Sequence, residues 1–176
     1  GLCGAVLGAA QAPGVSAATR AGRKHNRRDG VLMAIEYSDT VIDHFEHPRN
    51  VGTIPDADGV GKVGSPVCGD VIHLFIKVED AVIADIKYKT FGCAASIASG
   101  SIMSEMVRGR SVGELLAKGA TPEEAAENLK WEVVSALGGL PEQKVHCSLL
   151  ATDALYEAIR DYQGRHARKG ESADAP

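Results

Sequence analysis

The sequence predicts an α+β fold in which a small antiparallel β-sheet has helices packed on one face. Two neighbouring segments alternate apolar and polar residues around a short polar turn, a pattern that is typical of a β-hairpin. The chain after them carries helix-capping residues ahead of small or amphipathic runs. With 176 residues, of which 44% are hydrophobic and 24% charged, the chain has a globular composition and is long enough to bury a core.

Residues 1–32 have neither strand nor helix periodicity and contain no aromatic residue. We therefore predict a disordered or added extension, followed by one domain over residues 33–163 and a flexible tail over residues 164–176. A basic, acid-poor transit segment is the alternative interpretation of the extension, and it would direct the protein to the mitochondrial matrix instead of the cytoplasm. Cys3 lies in the extension and is expected to take no part in metal binding.

The first helix is predicted between Ser38, which can cap it, and Pro48, which stops it. Its apolar face is expected to consist of Val41, Ile42 and Phe45. Glycine and aspartate residues then predict a loop that extends to Gly64.

The hairpin is predicted over residues 71–78 and 82–90, with a turn at 79–81. Apolar side chains alternate along its first strand at Ile72, Leu74, Ile76 and Val78. Antiparallel pairing brings the outer ends of two strands together. Because Cys68 precedes the first strand and Cys93 follows the second, both are expected at the same end of the sheet.

Three helices are predicted between Cys93 and the next cysteine motif. Small residues over 94–101 begin the first of them, and a second short helix is expected over 111–118. The third starts with a capping box and a first-turn proline, given by Thr121, Pro122 and Glu124. It is expected to end at Gly138-Gly139 and to place Trp131 in the core.

A last helix is predicted to begin near Cys147 or Ser148 and to fray from Gly164. Its apolar residues recur with helical spacing, at Leu150, Ala154, Leu155, Ala158 and Ile159.

Charge and composition exclude several classes of function. Residues 1–32 carry five basic side chains and one acidic one, so a total charge of −4 leaves −8 for the rest of the chain. An acidic domain argues against nucleic-acid binding and is compatible with a basic protein partner. No apolar run has the length that a bilayer requires, so no membrane association is expected. Four cysteines without a disulfide-rich composition indicate a reducing compartment, for which the cytoplasm is the first choice.

Three cysteines at segment boundaries predict a metal site. They are Cys68 in Pro66-Val67-Cys68-Gly69-Asp70, Cys93 in Thr90-Phe91-Gly92-Cys93, and Cys147 in Lys144-Val145-His146-Cys147. A single free cysteine is most often a small buried apolar residue, but three beside Asp, Gly and His fit a four-coordinate site for iron or zinc. The alternative for Asp70 is a turn cap, for His146 an ordinary surface residue, and for Lys144 a solvated charge.

These motifs resemble those of the IscU/NifU-type iron–sulfur cluster assembly scaffolds. The likeness extends to Val41-Ile42-Asp43-His44-Phe45 and His47-Pro48-Arg49-Asn50-Val51-Gly52, and the three cysteine segments occur in the family's order. The resemblance implies a scaffold and not an enzyme. A cysteine desulfurase delivers persulfide sulfur, and donors such as frataxin or ferredoxin bring iron and electrons. A [2Fe-2S] cluster is then built and passed to apo iron–sulfur acceptor proteins.

By matching positions, the resemblance implies a role for each site residue. Cys68, Asp70, Cys93 and Cys147 would be the assembly residues, with Cys147 as the persulfide acceptor and His146 as an alternative ligand. Lys144 would stabilise the thiolates. Tyr37 matches a tyrosine that is associated with self-association into a homodimer, and an ordinary packing contact is the equal alternative.

The sequence also departs from the family's pattern. Ala94-Ala95 follows Cys93 where Gly-Ser is frequent, and Glu142-Gln143 replaces Pro-Val, which argues against recognition by a dedicated Hsp70-type chaperone. The interval from Cys93 to Cys147 is longer than that expected for compact members, with the extra length around residues 118–130.

The long interval leaves two alternatives open. SufU-type proteins carry an insertion here and act as zinc-containing sulfur-transfer proteins that accept persulfide from a cysteine desulfurase, with zinc at the same site. They typically lack a histidine before the last cysteine, so His146 favours the scaffold. A plain zinc-stabilised interaction module, which needs no persulfide chemistry, is the third possibility.

Overall fold

The computed structural model describes residues 37–66 and 69–173, with side chains as far as Ala167. The predicted extension, Cys3 and Cys68 lie outside the described residues. The strands are β1 (Gly59–Gly64), β2 (Val71–Glu79) and β3 (Val82–Phe91). The helices are α1 (Asp39–Glu46), α2 (Ala94–Val107), α3 (Val112–Leu116), α4 (Pro122–Ala136) and α5 (Val145–Ala173), and a 3₁₀ turn (Glu142–Lys144) leads directly into α5.

The predicted hairpin is confirmed. The strands β2 and β3 pair antiparallel, with Val71 opposite Phe91 at the outer end and Glu79 opposite Val82 at the turn. Asp80 and Ala81 form the turn with φ of 49° and 61°. Two left-handed residues are what a type I′ turn requires, and the twist of that turn matches the twist of the paired strands.

The strand β1 is a correction, because the sequence predicts a loop as far as Gly64. Its sequence, Gly-Val-Gly-Lys-Val-Gly, is rich in a residue that normally weakens strands. A Cβ at Gly59 or Gly61 would lie well under 3.0 Å from a carbonyl oxygen of α5, that of Ala158 or Ala154 respectively. Glycine is therefore used here because the backbone of α5 lies directly against the strand.

Helices cover one face of the sheet, as predicted. The strand order is β1–β2–β3, α5 crosses β1 and β2, and α2 packs against β3. Outside this layer α1 packs on α2, and α4 packs on α5. The covered face of the sheet is built from side chains that are at most 1% exposed, namely Ile72, Leu74, Ile76, Ile86 and Tyr88. The α+β class is thus confirmed.

The predicted helix starts are also confirmed. Ser38, Ser111 and Thr121 each accept a hydrogen bond from the backbone N–H three residues later, at 3.1–3.2 Å. Glu124 completes the capping arrangement in a modified form, because its carboxylate accepts from the N–H of Ala120 at 2.9 Å. Each of these bonds satisfies a backbone donor that a helix start leaves unpaired.

The predicted apolar face of α1 is wrong in part. Val41 is fully buried, whereas Ile42 and Phe45 are 39% and 42% exposed. The helix packs on α2 through Val41 and His44, and the Nδ1 atom of His44 is 2.7 Å from the Oγ atom of Ser101. Since each residue advances about 100° around a helix, Ile42 projects about 130° away from the direction midway between Val41 and His44, and Phe45 about 70° away, at the edge of the packed face.

Trp131 is not a core residue, contrary to the prediction. It is 53% exposed on α4, and the Nζ atom of Lys130 lies 4.5 Å from the centre of its ring. The helix buries Leu129 and Val133 instead, which are one turn apart on the face towards α5.

The last helix is longer than predicted. It begins at Val145, and it continues through Gly164 to Ala173 instead of fraying at the glycine. In the described part of the chain, no helix is both long and apolar enough to cross a membrane.

Candidate metal and sulfur site

The candidate site lies at the end of the sheet where β2 begins and β3 ends. Asp70 directly precedes β2, and its side chain is only 4% exposed. Its Oδ2 atom accepts a hydrogen bond from the backbone N–H of Cys93 at 3.4 Å. A buried carboxylate that is held against the first N–H of a helix start can act as a turn cap, as a metal ligand, or as both.

Gly92 makes this approach possible. A Cβ at this position would lie 2.7 Å from the Cγ atom of Asp70 and 3.0 Å from the Oγ atom of Ser96. Gly92 belongs to the Phe-Gly-Cys motif, and the motif alone does not reveal this role of the glycine. The available signal was a glycine directly between a strand end and a candidate metal-binding cysteine, where a close backbone approach is common.

Backbone hydrogen bonds close the loop between β1 and β2. The N–H of Ser65 donates to the carbonyl of Asp70 at 2.8 Å, and the N–H of Gly69 donates to the carbonyl of Ser65 at 2.9 Å. Gly69 has φ of 73°, a left-handed conformation that favours glycine. Cys68 belongs to this loop in sequence but lies outside the described residues, so its position beside Cys93 stays a prediction.

Cys93 is the N-cap residue of α2. Its backbone is extended, with φ of −76° and ψ of 170°, and its carbonyl accepts from the N–H of Ile97 at 3.1 Å. The side chain makes no capping hydrogen bond and is half-buried. A thiolate at this position is stabilised by the partial positive charge of the helix start.

Cys147 is the third residue of α5, and this helix brings its side chain to Cys93. Cys147 is 1% exposed, and its Sγ atom lies 3.6 Å from the Sγ atom of Cys93. Neither cysteine takes part in a disulfide bond within the described residues. A carboxylate oxygen of Asp70 and these two sulfur atoms all lie within 4.8 Å of one another. Three of the five predicted ligands are thus brought together from three separate segments.

The other predicted site residues lie around this group. His146 is exposed, and its Nε2 atom is 3.5 Å from the Sγ atom of Cys147. The mutually close group does not include it, so Asp70 is the better placed hard ligand. Burial raises the pKa of the Tyr37 hydroxyl, and Cys93 raises it further, whereas Lys144 lowers it. Tyr37 is therefore within electrostatic reach of both thiols and of Lys144.

Residues 36–169 match the family model that is described as the NifU-like N terminal domain. The chain is 58% identical over 126 residues to iron-sulfur cluster assembly scaffold protein IscU 1 of Archaeoglobus fulgidus, across 72% of this chain and 76% of the relative. It is 42% identical over 149 residues to iron sulfur cluster assembly protein 1, mitochondrial, of Yarrowia lipolytica, across 80% and 76% of the two chains.

A similar fold is found in the crystal structure of a nitrogen-fixing NifU-like protein (N-terminal) from Brucella abortus. The TM-score is 0.56 at 24% identity, and the match covers 73% of this chain and 94% of the other. At this identity the likeness concerns the fold alone. The family match, which spans most of the chain, and the sequence identities are the stronger findings, and they show that this chain belongs to the NifU-like N-terminal domain family.

Proposed function

We propose that this chain is a scaffold on which an iron–sulfur cluster is assembled and from which the cluster passes to acceptor proteins. One observation carries the proposal: the carboxylate of Asp70 and the thiols of Cys93 and Cys147 converge within 4.8 Å from three segments. The relatives at 42–58% identity that bear scaffold or assembly names support it. In this role the protein holds reactants and product and is not itself the enzyme.

The proposed ligands are the thiolates of Cys68, Cys93 and Cys147, with Asp70 as the fourth and His146 as the group that exchanges with it. Clusters that serve electron transfer are usually held by four thiolates. A carboxylate is a harder ligand than a thiolate and suits iron–sulfur chemistry less well, so the mixed set releases its cluster more readily. The cargo is a [2Fe-2S] cluster. Zinc fits the same donor set and competes for it.

The proposed sulfur acceptor is Cys147. Its thiolate attacks the outer sulfur of a persulfide on a cysteine desulfurase, the S–S bond breaks, and the desulfurase thiolate leaves. Two electrons and one proton from the electron donor then cleave the Cys147 persulfide to a thiolate and hydrosulfide. Because Cys147 is 1% exposed, the 3₁₀ turn and His146 move aside when the desulfurase docks. Lys144 and the amides at the start of α5 favour the thiolate.

The scaffold role also implies partners. They are a cysteine desulfurase, an iron or electron donor such as frataxin or ferredoxin, and apo iron–sulfur acceptors. Tyr37 is half-buried and packs against the core of its own chain, which favours the packing alternative over a homodimer contact. The proposed compartment is the cytoplasm, with the mitochondrial matrix as the alternative if residues 1–32 act as a transit segment.

The test is a turnover experiment without oxygen. The zinc-loaded protein is mixed with a cysteine desulfurase, cysteine, ferrous iron and a reductant, and absorbance and Mössbauer spectra are recorded with the zinc content. A scaffold exchanges zinc for a [2Fe-2S] centre and donates that centre to an apo-ferredoxin. If zinc stays bound and only sulfur release accelerates, the SufU-type sulfur carrier replaces the scaffold.

We expect Asp70→Ala to hold its cluster longer than the wild type and to donate it more slowly. The change removes the hard ligand that makes the cluster transferable. The expected slowing is on the order of tenfold, comparable to the effect of altering the surroundings of a metal site. The measurement is the rate of cluster transfer to an apo-ferredoxin, followed by circular dichroism.

Asp70→Asn is the matched control for this prediction. Its amide oxygen still accepts from the N–H of Cys93, so the start of α2 stays capped while the negative charge is lost. Slower transfer in both variants supports the ligand role. Slower transfer in the Ala variant alone assigns Asp70 to capping, and faster cluster loss in both means that the carboxylate stabilises the bound cluster.

A further inference from the structure

The face of the sheet that the helices leave open carries a basic patch. In the register of the strands, Lys62 lies opposite His73 and His73 lies opposite Lys89. Lys87 is in the adjacent row, opposite Phe75. Because side chains two apart on a strand share a face, these groups project on the side away from the buried row of Ile72, Leu74 and Ile76.

Within the described residues, none of the ion pairs involves Lys62, Lys87 or Lys89. The far end of the same face is neutralised, because the Nζ atom of Lys77 lies 2.9 Å from a carboxylate oxygen of Asp56 and Arg108 lies 3.6 Å from Asp85. The unpaired positive charge is therefore concentrated at the end of the sheet that borders the candidate site. Like charges on neighbouring strands repel each other, and an external negative charge relieves that cost.

The row that borders the site is apolar and exposed. Phe91 lies opposite Val71 at the end of the hairpin, and it is 82% exposed two residues before Cys93. Of the three ligand candidates that converge, Cys93 is half-buried, whereas Asp70 and Cys147 are almost fully buried. An incoming ligand from another protein therefore reaches the site most directly past Cys93 and Phe91.

We propose that this open face, defined by Lys62, His73, Lys87, Lys89 and Phe91, docks an acceptor apo-protein that has an acidic surface around its own cluster-binding residues. This inference rests on the proposed function and names the chemistry of its acceptor. Phe91 supplies the apolar anchor beside the site, and the three lysines orient the partner and accelerate its association.

Two other occupants fit this face less well. A nucleic acid also prefers lysines beside an aromatic ring, but the rest of the chain carries a net charge of −8 beyond residue 32 and repels a phosphate backbone. A second copy placed face to face would oppose lysines to lysines. A protein whose negative charge is concentrated in one patch conflicts less, because that patch meets the lysines directly, whereas a nucleic acid carries a charge at every phosphate along its length.

The test compares two double variants with the same change in net charge. Lys62→Glu with Lys89→Glu reverses the two exposed lysines on the open face, and Arg160→Glu with Arg165→Glu reverses two exposed arginines on α5. The probe is an apo-ferredoxin of net negative charge. Three quantities are measured for each: cluster assembly with the desulfurase, the second-order rate constant of cluster transfer, and binding of the apo-ferredoxin to the cluster-free protein by titration calorimetry.

The lysine variant is expected to assemble its cluster like the wild type but to transfer it about tenfold more slowly at low salt. The difference disappears near 1 M salt, where the screening length is about 3 Å. The arginine variant transfers like the wild type, and calorimetry shows weaker binding for the lysine variant alone.

If the two variants have equal rate constants of cluster transfer and equal affinities for the apo-ferredoxin, the proposed docking surface is wrong. The proposed function still stands in that case, provided that the wild type assembles a cluster. Slower assembly instead of slower transfer assigns the face to the desulfurase and also overturns the inference. The inference is also overturned if a single-stranded oligonucleotide binds the wild type and not the lysine variant. The same holds if sedimentation shows a dimer of the wild type and only a monomer of the lysine variant. If the wild type assembles no cluster, the proposed function fails, and the calorimetric comparison decides the docking surface by itself.

Discussion

Gly61→Ala is expected to lower the free energy of unfolding by about 3 kcal/mol, the upper end of the cost of overpacking a core. The new methyl group would lie well under 3.0 Å from the carbonyl oxygen of Ala154 and also crowd the backbone of Ala158. Neither neighbour is a flexible side chain, so α5 has to move away from β1. Urea denaturation followed by circular dichroism measures the change.

Gly64→Ala is the control in the same strand. There the nearest heavy atoms to a new Cβ are 3.6 Å away, at Val71, and 3.8 Å away, at Asp70, which is ordinary contact. Replacing glycine also reduces the freedom of the unfolded chain, so stability is expected to change by less than about 1 kcal/mol in either direction. Equal midpoints for the two variants would contradict the close packing of β1 and α5.

Cys147→Ser is expected to abolish stable cluster formation during turnover. The variant loses a thiolate ligand and the proposed persulfide acceptor together, and a serine hydroxyl is neither a soft ligand nor ionised at neutral pH. We expect the yield of protein-bound cluster to fall more than about tenfold, which is a severe loss even for a metal site. The measurement is visible absorbance after reconstitution with the desulfurase.

Cys3→Ser is the control for this experiment, since Cys3 belongs to a segment whose sequence shows no helix or strand periodicity. The variant should assemble the cluster as the wild type does. Loss of the cluster in Cys3→Ser, with the other three cysteines present, would refute the assignment of the site, and so would normal assembly in Cys147→Ser.

Local signals in the sequence were sufficient for most of the fold. The alternation along β2 and β3 and the hydrogen-bonding side chains of Ser38 and Thr121 act within a few residues, so a single segment reveals them. The same holds for the convergence of Asp70 and Cys93, because the hairpin register alone brings the start of β2 to the end of β3.

Non-local packing explains what could not be predicted. The strand β1 contains three glycines, and the approach of α5, about a hundred residues later in the chain, is what makes two of them, Gly59 and Gly61, favourable. The exposure of Trp131 depends on which face of α4 meets α5, which its composition does not specify. Gly92 owes its importance to a carboxylate 22 positions earlier that lies against it only in the folded chain.

The helix starts that carry Cys93 and Cys147 have a consequence for engineering. Their sulfur atoms are 3.6 Å apart although 54 positions separate them, because each cysteine is fixed by its own helix and not by the segment between. Between α2 and α5 the chain forms α3 and α4, and α4 packs on the side of α5. Doubling the length of a flexible loop costs only about 0.6 kcal/mol in closure entropy. Residues inserted in the exposed part of the connection between α3 and α4, beyond the closely packed Gly119, are therefore expected to leave both thiols in their places.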